Sequence, residues 1–412
     1  MSYAYKGPDY LRRKLITKRT RVLKRYKYYE MKNIARDFNI SSPPELRAWQ
    51  SCIGWCATAV DSMADRLSFR EFRNDLFDVN EIFRMNNPDI FFDSSILSAL
   101  ISSCCFVYIS PDEDGFPRFQ VIDGGNATGE IDPITNLLNE GYAVLSRDKN
   151  DNPVKEAWYT AEKTVYYERG KKYRTDPNKA GYPLLVPIIN RPDAVRPFGH
   201  SRISRACMSL TGSALRTIKR SEISAEFFSF PQKYVTGLSQ DAEEMEKWKA
   251  AMSAMITITK DDEGGSDPKF GQFTQQSMEP HLVQLRMFAS QFAGETGLTL
   301  DDLGFPSDNP SSYDAIKAAH VKLRRSAQKA QRTFGSGFLN VGFLAARLRD
   351  SFPYRRQEFY KTKPVWEPVF EPDAASLSLI GDGAIKINQA IPGYIGRETL
   401  HDLTGIAPGD EL

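Results

Sequence analysis

Four cations carry the most suggestive chemistry in the chain. Lys322, Arg325, Lys329 and Arg332 recur at three-, four- and three-residue steps, so on a helix they share one face. Ile316, Ala319, Leu323, Ala327, Ala330 and Phe334 would form the apolar stripe beside them. Asp314 is the last acid before Asp350, whereas a solvated face normally mixes both signs. Two readings stand: an ordinary basic surface, or a face that meets a phosphate backbone without reading bases.

Other chemistry is sparse. There is no Walker-type phosphate loop, no Gly-x-Gly-x-x-Gly opening a helix after a strand, and no Gly-x-Ser-x-Gly elbow. The histidines are His200, His281, His320 and His401, and none sits in a His-Glu-x-x-His motif. His320 lies beside the basic stripe, where a general base would need a nucleophile or carboxylate close by. Cys52 and Cys56 are one turn apart, but no histidine or second pair completes a zinc set, so core packing is the reading. The five cysteines are odd in number and scattered, which favours buried free thiols over a disulfide framework. Asp112, Asp114 and Gly115 belong to a hairpin turn, since the later acid of a calcium loop is missing. Asp261, Asp262 and Glu263 stand contiguously in a Gly-rich loop and point in different directions, as solvated side chains do. No catalytic residue, metal site or cofactor is assigned. The pattern favours a mechanical or binding role.

Composition sets the frame. The chain has 412 residues, enough for two or more domains, with the charged and apolar content of a folded soluble protein. No apolar run is long enough to cross a bilayer, and the start of the chain lacks the apolar core of a signal peptide. An intracellular protein, or part of a particle assembled in a cell, is expected. Net charge is only +2, yet Lys6, Arg12, Arg13, Lys14, Lys18, Arg19, Arg21, Lys24, Arg25 and Lys27 crowd the start against a lone Asp9. That stretch is either a solvated arm or a contact for nucleic acid or an acidic partner.

The elements that must position these residues follow in order. Helices are predicted over 18–37, 45–67, 75–86 and 89–104. Strands follow over 106–109, 116–122, 141–147, 154–160, 164–168 and 184–189, an antiparallel meander. A helix opens after Gly199 with Ser201 as N-cap and runs to Ser229, its apolar face built on Ile203, Cys207, Leu210, Ala214 and Thr217. An excursion covers 230–276. Lys233–Thr236 and Ile256–Thr259 are its strands, and a helix capped by Ser239 carries Met245, Trp248, Met252 and Met255 as one stripe. A module this small does not bury its own core easily, so that stripe is expected at a contact between copies. Ser277 caps the next helix, with Leu282, Leu285, Ala289 and Phe292 on one face. Turn formers fill 304–312, and a helix runs from Tyr313 past Phe334 until Gly335 and Gly337 weaken or kink it. Val365–Phe370 is strand-like, 374–390 reads as one or two helices broken near Gly381 and Gly383, and 397–403 is a last helix.

Leu303-Gly304-Phe305-Pro306, Asn309-Pro310-Ser311-Ser312, Asp314-Ala315-Ile316-Lys317-Ala318-Ala319 and Phe334-Gly335 resemble the siphophage-type portal (connector) proteins of tailed double-stranded-DNA phages. Phe198-Gly199-His200-Ser201-Arg202-Ile203-Ser204-Arg205, Ser224-Ala225-Glu226-Phe227 and Pro231-Gln232-Lys233-Tyr234-Val235-Thr236-Gly237 carry the same resemblance, which is densest from Pro187 to Gly335. It implies an α+β portal-type fold: arm and wing over 1–198, stem helices over 199–229 and 278–300, a small α/β clip over 230–277, a tunnel loop over 301–314, a long wing helix over 315–350, and a C-terminal wing strand and short crown over 351–412. It also implies a homo-oligomeric ring, usually of twelve subunits, at one capsid vertex. DNA would be packaged, retained and ejected through its channel, without sequence specificity. Expected partners are the large terminase subunit, a head-tail adaptor, the major capsid protein and a scaffolding protein, with no membrane. Phe305, Ser307, Asp308 and Asn309 join the basic stripe as candidates to face DNA. The rivals are another virion or scaffold-type protein without a channel, and a metal-dependent nucleic-acid enzyme using Asp301, Asp302 and neighbouring acids.

Overall fold

The structure is a computed structural model, and it describes residues 3–35, 48–229, 233–236, 269–272, 277–306, 313–370 and 374–406. The chain divides into two compact units, Met1–Asn33 with Gly54–Met208 and Ala293–Leu412, and Ile34–Ile53 with Ser209–Phe292.

In the larger unit the first helix is α1 (Pro8–Tyr29). Pro8 occupies its first turn, where a missing N–H costs nothing, and Asp9 complements the positive end of the helix dipole. The start therefore lies ten residues before the predicted one. Leu11, Leu15 and Val22 are buried, with Leu11 and Leu15 packing on Tyr142 and Val144. Then come α2 (Trp55–Ala64), β1 (Phe69–Arg73), α3 (Val79–Arg84) and α4 (Pro88–Ser102). Of the expected helix over 45–67, the described residues hold α2. Trp49 and Cys52 stand outside it and are exposed, while Cys56 is buried.

The strands are β2 (Cys104–Pro111), β3 (Pro117–Ile122), β4 (Ala127–Ile131), β5 (Leu138–Arg147), β6 (Pro153–Tyr159), β7 (Lys163–Glu168), β8 (Lys171–Pro177) and β9 (Leu185–Ile189). They form two antiparallel sheets, ordered β3-β2-β9 and β4-β5-β6-β7-β8. The turn between β2 and β3 is closed by Asp112, whose carboxylate accepts the Phe116 N–H at 2.8 Å and Arg118 at 2.9 Å.

Two helices, α5 (Arg205–Ser229) and α6 (Glu279–Thr296), follow β9 in the chain, each running from one unit into the other. After α6 come α7 (Tyr313–Ala319), α8 (Val321–Asp350), β12 (Lys363–Trp366), α9 (Ala374–Ala390) and α10 (Arg397–Thr404). Helix α9 is unbroken at Gly381 and Gly383. β12 pairs antiparallel with β1 across the chain, Phe69 opposite Trp366 and Arg73 opposite Lys363. An aromatic cluster joins these elements: Phe69 stacks on Phe92 at 4.2 Å, Phe92 meets Phe338 edge-on at 4.8 Å, and Trp366 meets Phe69 at 5.2 Å. Such pairs add about 0.5–1.5 kcal/mol each beyond their buried area.

Helix α8 runs unbroken through Gly335 and Gly337, against the expectation that they weaken or kink it. Both are buried, and a Cβ on Gly335 would lie 2.6 Å from Pro364 Cγ, one on Gly337 2.9 Å from Ile188 Cδ1. These glycines let β12 and β9 approach the helix. Neighbouring packing outweighs their intrinsic cost of about 1 kcal/mol each.

In the smaller unit, β10 (Lys233–Thr236) pairs antiparallel with β11 (Lys269–Gln272). The stripe of Met245, Trp248, Met252 and Met255 lies outside the described residues, as do Ile256–Thr259 and the acidic loop. The portions of α5 and α6 in this unit are bridged by Thr217, which donates to Gln284 at 3.0 Å. Ala289 and Phe292 are buried as expected, but Leu282 is 58% exposed, with Val283 and Met287 exposed beside it.

Candidate nucleic-acid interface

The entry to α5 shows what the Phe198–Arg205 motif does. Gly199 sits at φ +69°, and a Cβ there would lie 2.1 Å from the Asn190 carbonyl. His200 donates its N–H to that carbonyl at 2.9 Å. Ser201 donates to the Ile101 carbonyl at 2.6 Å, so it ties the start of α5 to α4 and does not cap α5. Ser204 is the cap: its hydroxyl accepts the Cys207 N–H at 3.1 Å and donates to Glu295 at 2.9 Å. Arg202 donates to the Ala59 carbonyl at 3.0 Å and to the Thr296 carbonyl at 2.6 Å. Burial holds this guanidinium down at about 10, and neighbouring Arg191 adds to the effect. The motif is a structural junction between β9 and α5.

The base of the expected tunnel loop is clamped. Asp301–Leu303 forms one 3-10 turn, and Leu303 is buried. Asp302 accepts the Thr299 N–H at 2.8 Å, the Thr299 hydroxyl at 2.9 Å and His320 Nε2 at 3.0 Å. His320, buried between α7 and α8, also bonds the Ile316 carbonyl through Nδ1 at 2.9 Å. Burial works to raise the Asp302 carboxyl, but the hydrogen bonds from Thr299 and His320 outweigh it and hold it below the usual range. So a carboxylate does stand beside His320, which the local sequence did not show because the two are 18 positions apart. This pair bridges the residues before and after the loop. Among the described residues no group of three or more His, Cys, Asp or Glu could hold a metal.

Phe305, half-buried, follows the turn and donates its N–H to the Leu300 carbonyl at 3.0 Å. Ser307, Asp308 and Asn309 lie outside the described residues.

The basic stripe is brought together as spaced. Lys322, Arg325, Lys329 and Arg332 are all exposed on α8, joined by Arg324, while Leu323, Ala327, Ala330 and Phe334 are fully buried. Ile316 and Ala319 leave the apolar stripe: both are exposed on α7, a separate helix. Arg325, Lys329 and Arg332 make no ion pair among the described residues. Lys322 differs from the other three, for its ammonium donates to the Gly294 carbonyl and its stem packs 3.2 Å from the Cβ position of Gly297.

The described residues thus form an α+β scaffold with a clamped turn at 301–303 and a long helix whose Arg325, Lys329 and Arg332 are exposed. The chain belongs to the phage portal protein family, SPP1 Gp6-like, which it matches over residues 9–374. It is 26% identical over 396 residues to the portal proteins of Mycobacterium phages L5 and D29, covering 90% of this chain and 79% of each relative. In solved structures it is similar to chains from the virion and the neck of a native gene transfer agent particle, at 12% and 13% identity. Their TM-scores are 0.47 and 0.48, with 95% and 96% of this chain covered and 99% and 100% of theirs. Portal proteins are structural rather than enzymatic.

Proposed function

We propose that this chain assembles into a closed ring of identical subunits, twelve as is usual in the family, at one vertex of a phage capsid. Double-stranded DNA passes through the ring during packaging and ejection and is retained there between. The observation that carries this reading is the family match over residues 9–374, nearly the whole chain. The ring docks a packaging motor containing the large terminase subunit from outside and later a head-tail adaptor, and meets the major capsid protein and scaffold during assembly in the host cytoplasm. The chain performs no catalysis of its own and needs no cofactor. The exposed Leu282, Val283 and Met287 on α6 suit a contact with the neighbouring subunit. The stripe at 245–255 serves the same end in the clip.

The segment 301–314 is the tunnel loop, clamped at its base by Asp302 and His320. The exposed face of α8, repeated around the ring, makes a belt of positive potential. Phosphate contacts are nearly uniform along a duplex, so such a belt grips DNA of any sequence and still lets it slide. Native mass spectrometry and electron microscopy of the purified protein test the ring: a closed assembly with a central hole is expected, and a monomer at all concentrations sinks the reading. For the belt, Lys322 is the wrong position to change, since it also holds Gly294. Arg325→Glu with Lys329→Glu should leave rings and folding intact and lower DNA retention without sequence preference. Full packaging by that variant at physiological salt means α8 is only a solvated face.

A further inference from the structure

A second basic surface lies in the larger unit, built from residues that α8 does not share. Between α1, the end of α4 and the 196–199 turn is an open cleft of about 760 Å³. Six cations line it: Arg13, Lys14, Lys18, Arg21, Arg25 and Arg196, with no carboxylate in the wall. Lys14 is partly neutralised from outside, 2.5 Å from Glu130. Arg196 donates its backbone N–H to Asp193 at 2.7 Å and its guanidinium lies 3.4 Å from His200 Nδ1, and the side chains of the other four have no ion pair among the described residues. Arg25 donates to the Ser102 carbonyl at 3.1 Å, Arg13 to the Asp9 carbonyl at 3.4 Å, and Lys18 lies 3.0 Å from Cys104 Sγ and 4.9 Å from the Phe198 ring centre. The Arg21 side chain has no hydrogen bond or ion pair among the described residues.

Two further features suit this cleft to an anion. Burial, with Arg21 and Arg196 adding to it, pushes the Arg25 guanidinium below the usual arginine range, so like charges are held together here uncompensated. Independently, Thr128 in the same wall is fully buried and its hydroxyl has no hydrogen-bond partner among the described residues. Buried hydroxyls are nearly always satisfied, and a phosphate oxygen would satisfy this one.

We propose that this cleft seats the sugar–phosphate backbone of nucleic acid, as a site separate from the α8 belt. The geometry favours a backbone over an acidic peptide. Arg13, Thr17, Arg21 and Arg25 line the cleft at one-turn steps along α1, a row roughly 18 Å long at 1.5 Å per residue. Phosphates advance about 3.4 Å along the axis per nucleotide of a strand, so the row spans roughly five of them. A peptide would want apolar pockets between its acids. Here the aromatic walls are already faced by ammonium groups, Tyr10 by Lys6 and Phe198 by Lys14 and Lys18. Guanidinium forks also suit phosphate in two-point contacts.

The test measures binding of a fluorescent random-sequence 30-base-pair duplex to the assembled protein across a range of salt. All proteins carry Arg325→Glu with Lys329→Glu, which removes the α8 belt, so failure of the cleft and failure of the channel reading are separable. Adding Arg13→Gln with Arg21→Gln should weaken binding at least about five-fold. It should also flatten the slope of log K against log salt by about 0.9 for each phosphate no longer neutralised, close to two in all. Arg21→Gln alone should flatten it by about one and is the variant to use if the pair misfolds. Inorganic tripolyphosphate should compete only weakly, because it fills a short part of the row. An unchanged slope overturns the proposal. So does competition by polyglutamate equal to that of DNA, which assigns the cleft to an acidic protein, or full displacement by tripolyphosphate at equimolar phosphate, which assigns it to a small anion.

Discussion

Helices α1 and α8 are both long, both basic and nearly free of acids, yet they spend their charge differently. On α1 several cations are paired with carboxylates distant in sequence. Arg12 donates to Glu156 at 3.1 Å and to Tyr142 at 3.3 Å, Lys14 and Lys6 share Glu130, and Arg19 holds Asp151 at 2.7 Å. Glu140, fully buried, accepts the N–H groups of Lys6 and Gly7. On α8 the exposed cations from Arg324 to Arg332 have no ion pair among the described residues. One face of α1 uses charge to dock the helix, whereas the exposed cations of α8 are spent on no such pairing among the described residues. A run of lysine and arginine thus declares its use only when the partner acids are known, and those lie 116 to 144 positions away from Lys14 and Arg12.

The largest expected effect breaks the docking of α1. Glu156→Ala removes the acceptor of the Tyr142 hydroxyl and one of the two carboxylates on Arg12, which keeps Asp9 at 2.8 Å. It should cost about 3 kcal/mol, the low end for breaking a buried pair, because Arg12 keeps a third of its side chain in water. The midpoint of denaturant unfolding reads it, and a shift no larger than that of Asp151→Ala would mean α1 is held by its apolar face alone.

A smaller effect belongs to the clamp at the foot of α8. Asp302→Asn loses charge-assisted bonds and should cost about 1.5 kcal/mol at pH 7. Because the folded carboxyl lies below its ordinary value near 3.9, its stabilisation is complete above that value. It is lost as the pH falls from there through the folded value. Parent and variant should therefore converge in stability below about pH 4. A constant gap down to about pH 2 would assign the effect to packing.

The smallest effect is the sharpest contrast. Arg325→Gln with Arg332→Gln should change stability by less than about 0.5 kcal/mol, since neither is paired. Thermal unfolding checks this, and a loss comparable to that of Glu156→Ala would erase the distinction between the two helices.

How much was legible follows from range. The strands of the meander alternate and are bounded by turn residues, so they could be read. β8 carries Lys171, Lys172 and Arg174 at a sheet edge, and its charge hid it. β1 was missed because its partner, β12, lies some 290 positions on. The start of α1 was signalled by Gly7-Pro8-Asp9, a signal outweighed by the run of charge that follows it. The α8 stripe was visible from periodicity alone. The Asp302–His320 clamp was not, because a 3-10 turn and a helix break must both be in place before the two side chains meet.

The pairing of β1 with β12 also sets a timetable. A ribosome adds roughly 5–20 residues per second, so Phe69–Arg73 waits on the order of 15–60 seconds before Lys363–Trp366 has been made. During that interval the aromatic ring of Phe69 lacks Trp366 and Phe338, and the edge of β1 is open. A nascent chain in this condition depends on its surroundings to stay unaggregated. The larger unit thus completes its core only after Lys363–Trp366 has been made, whatever the speed of its individual helices.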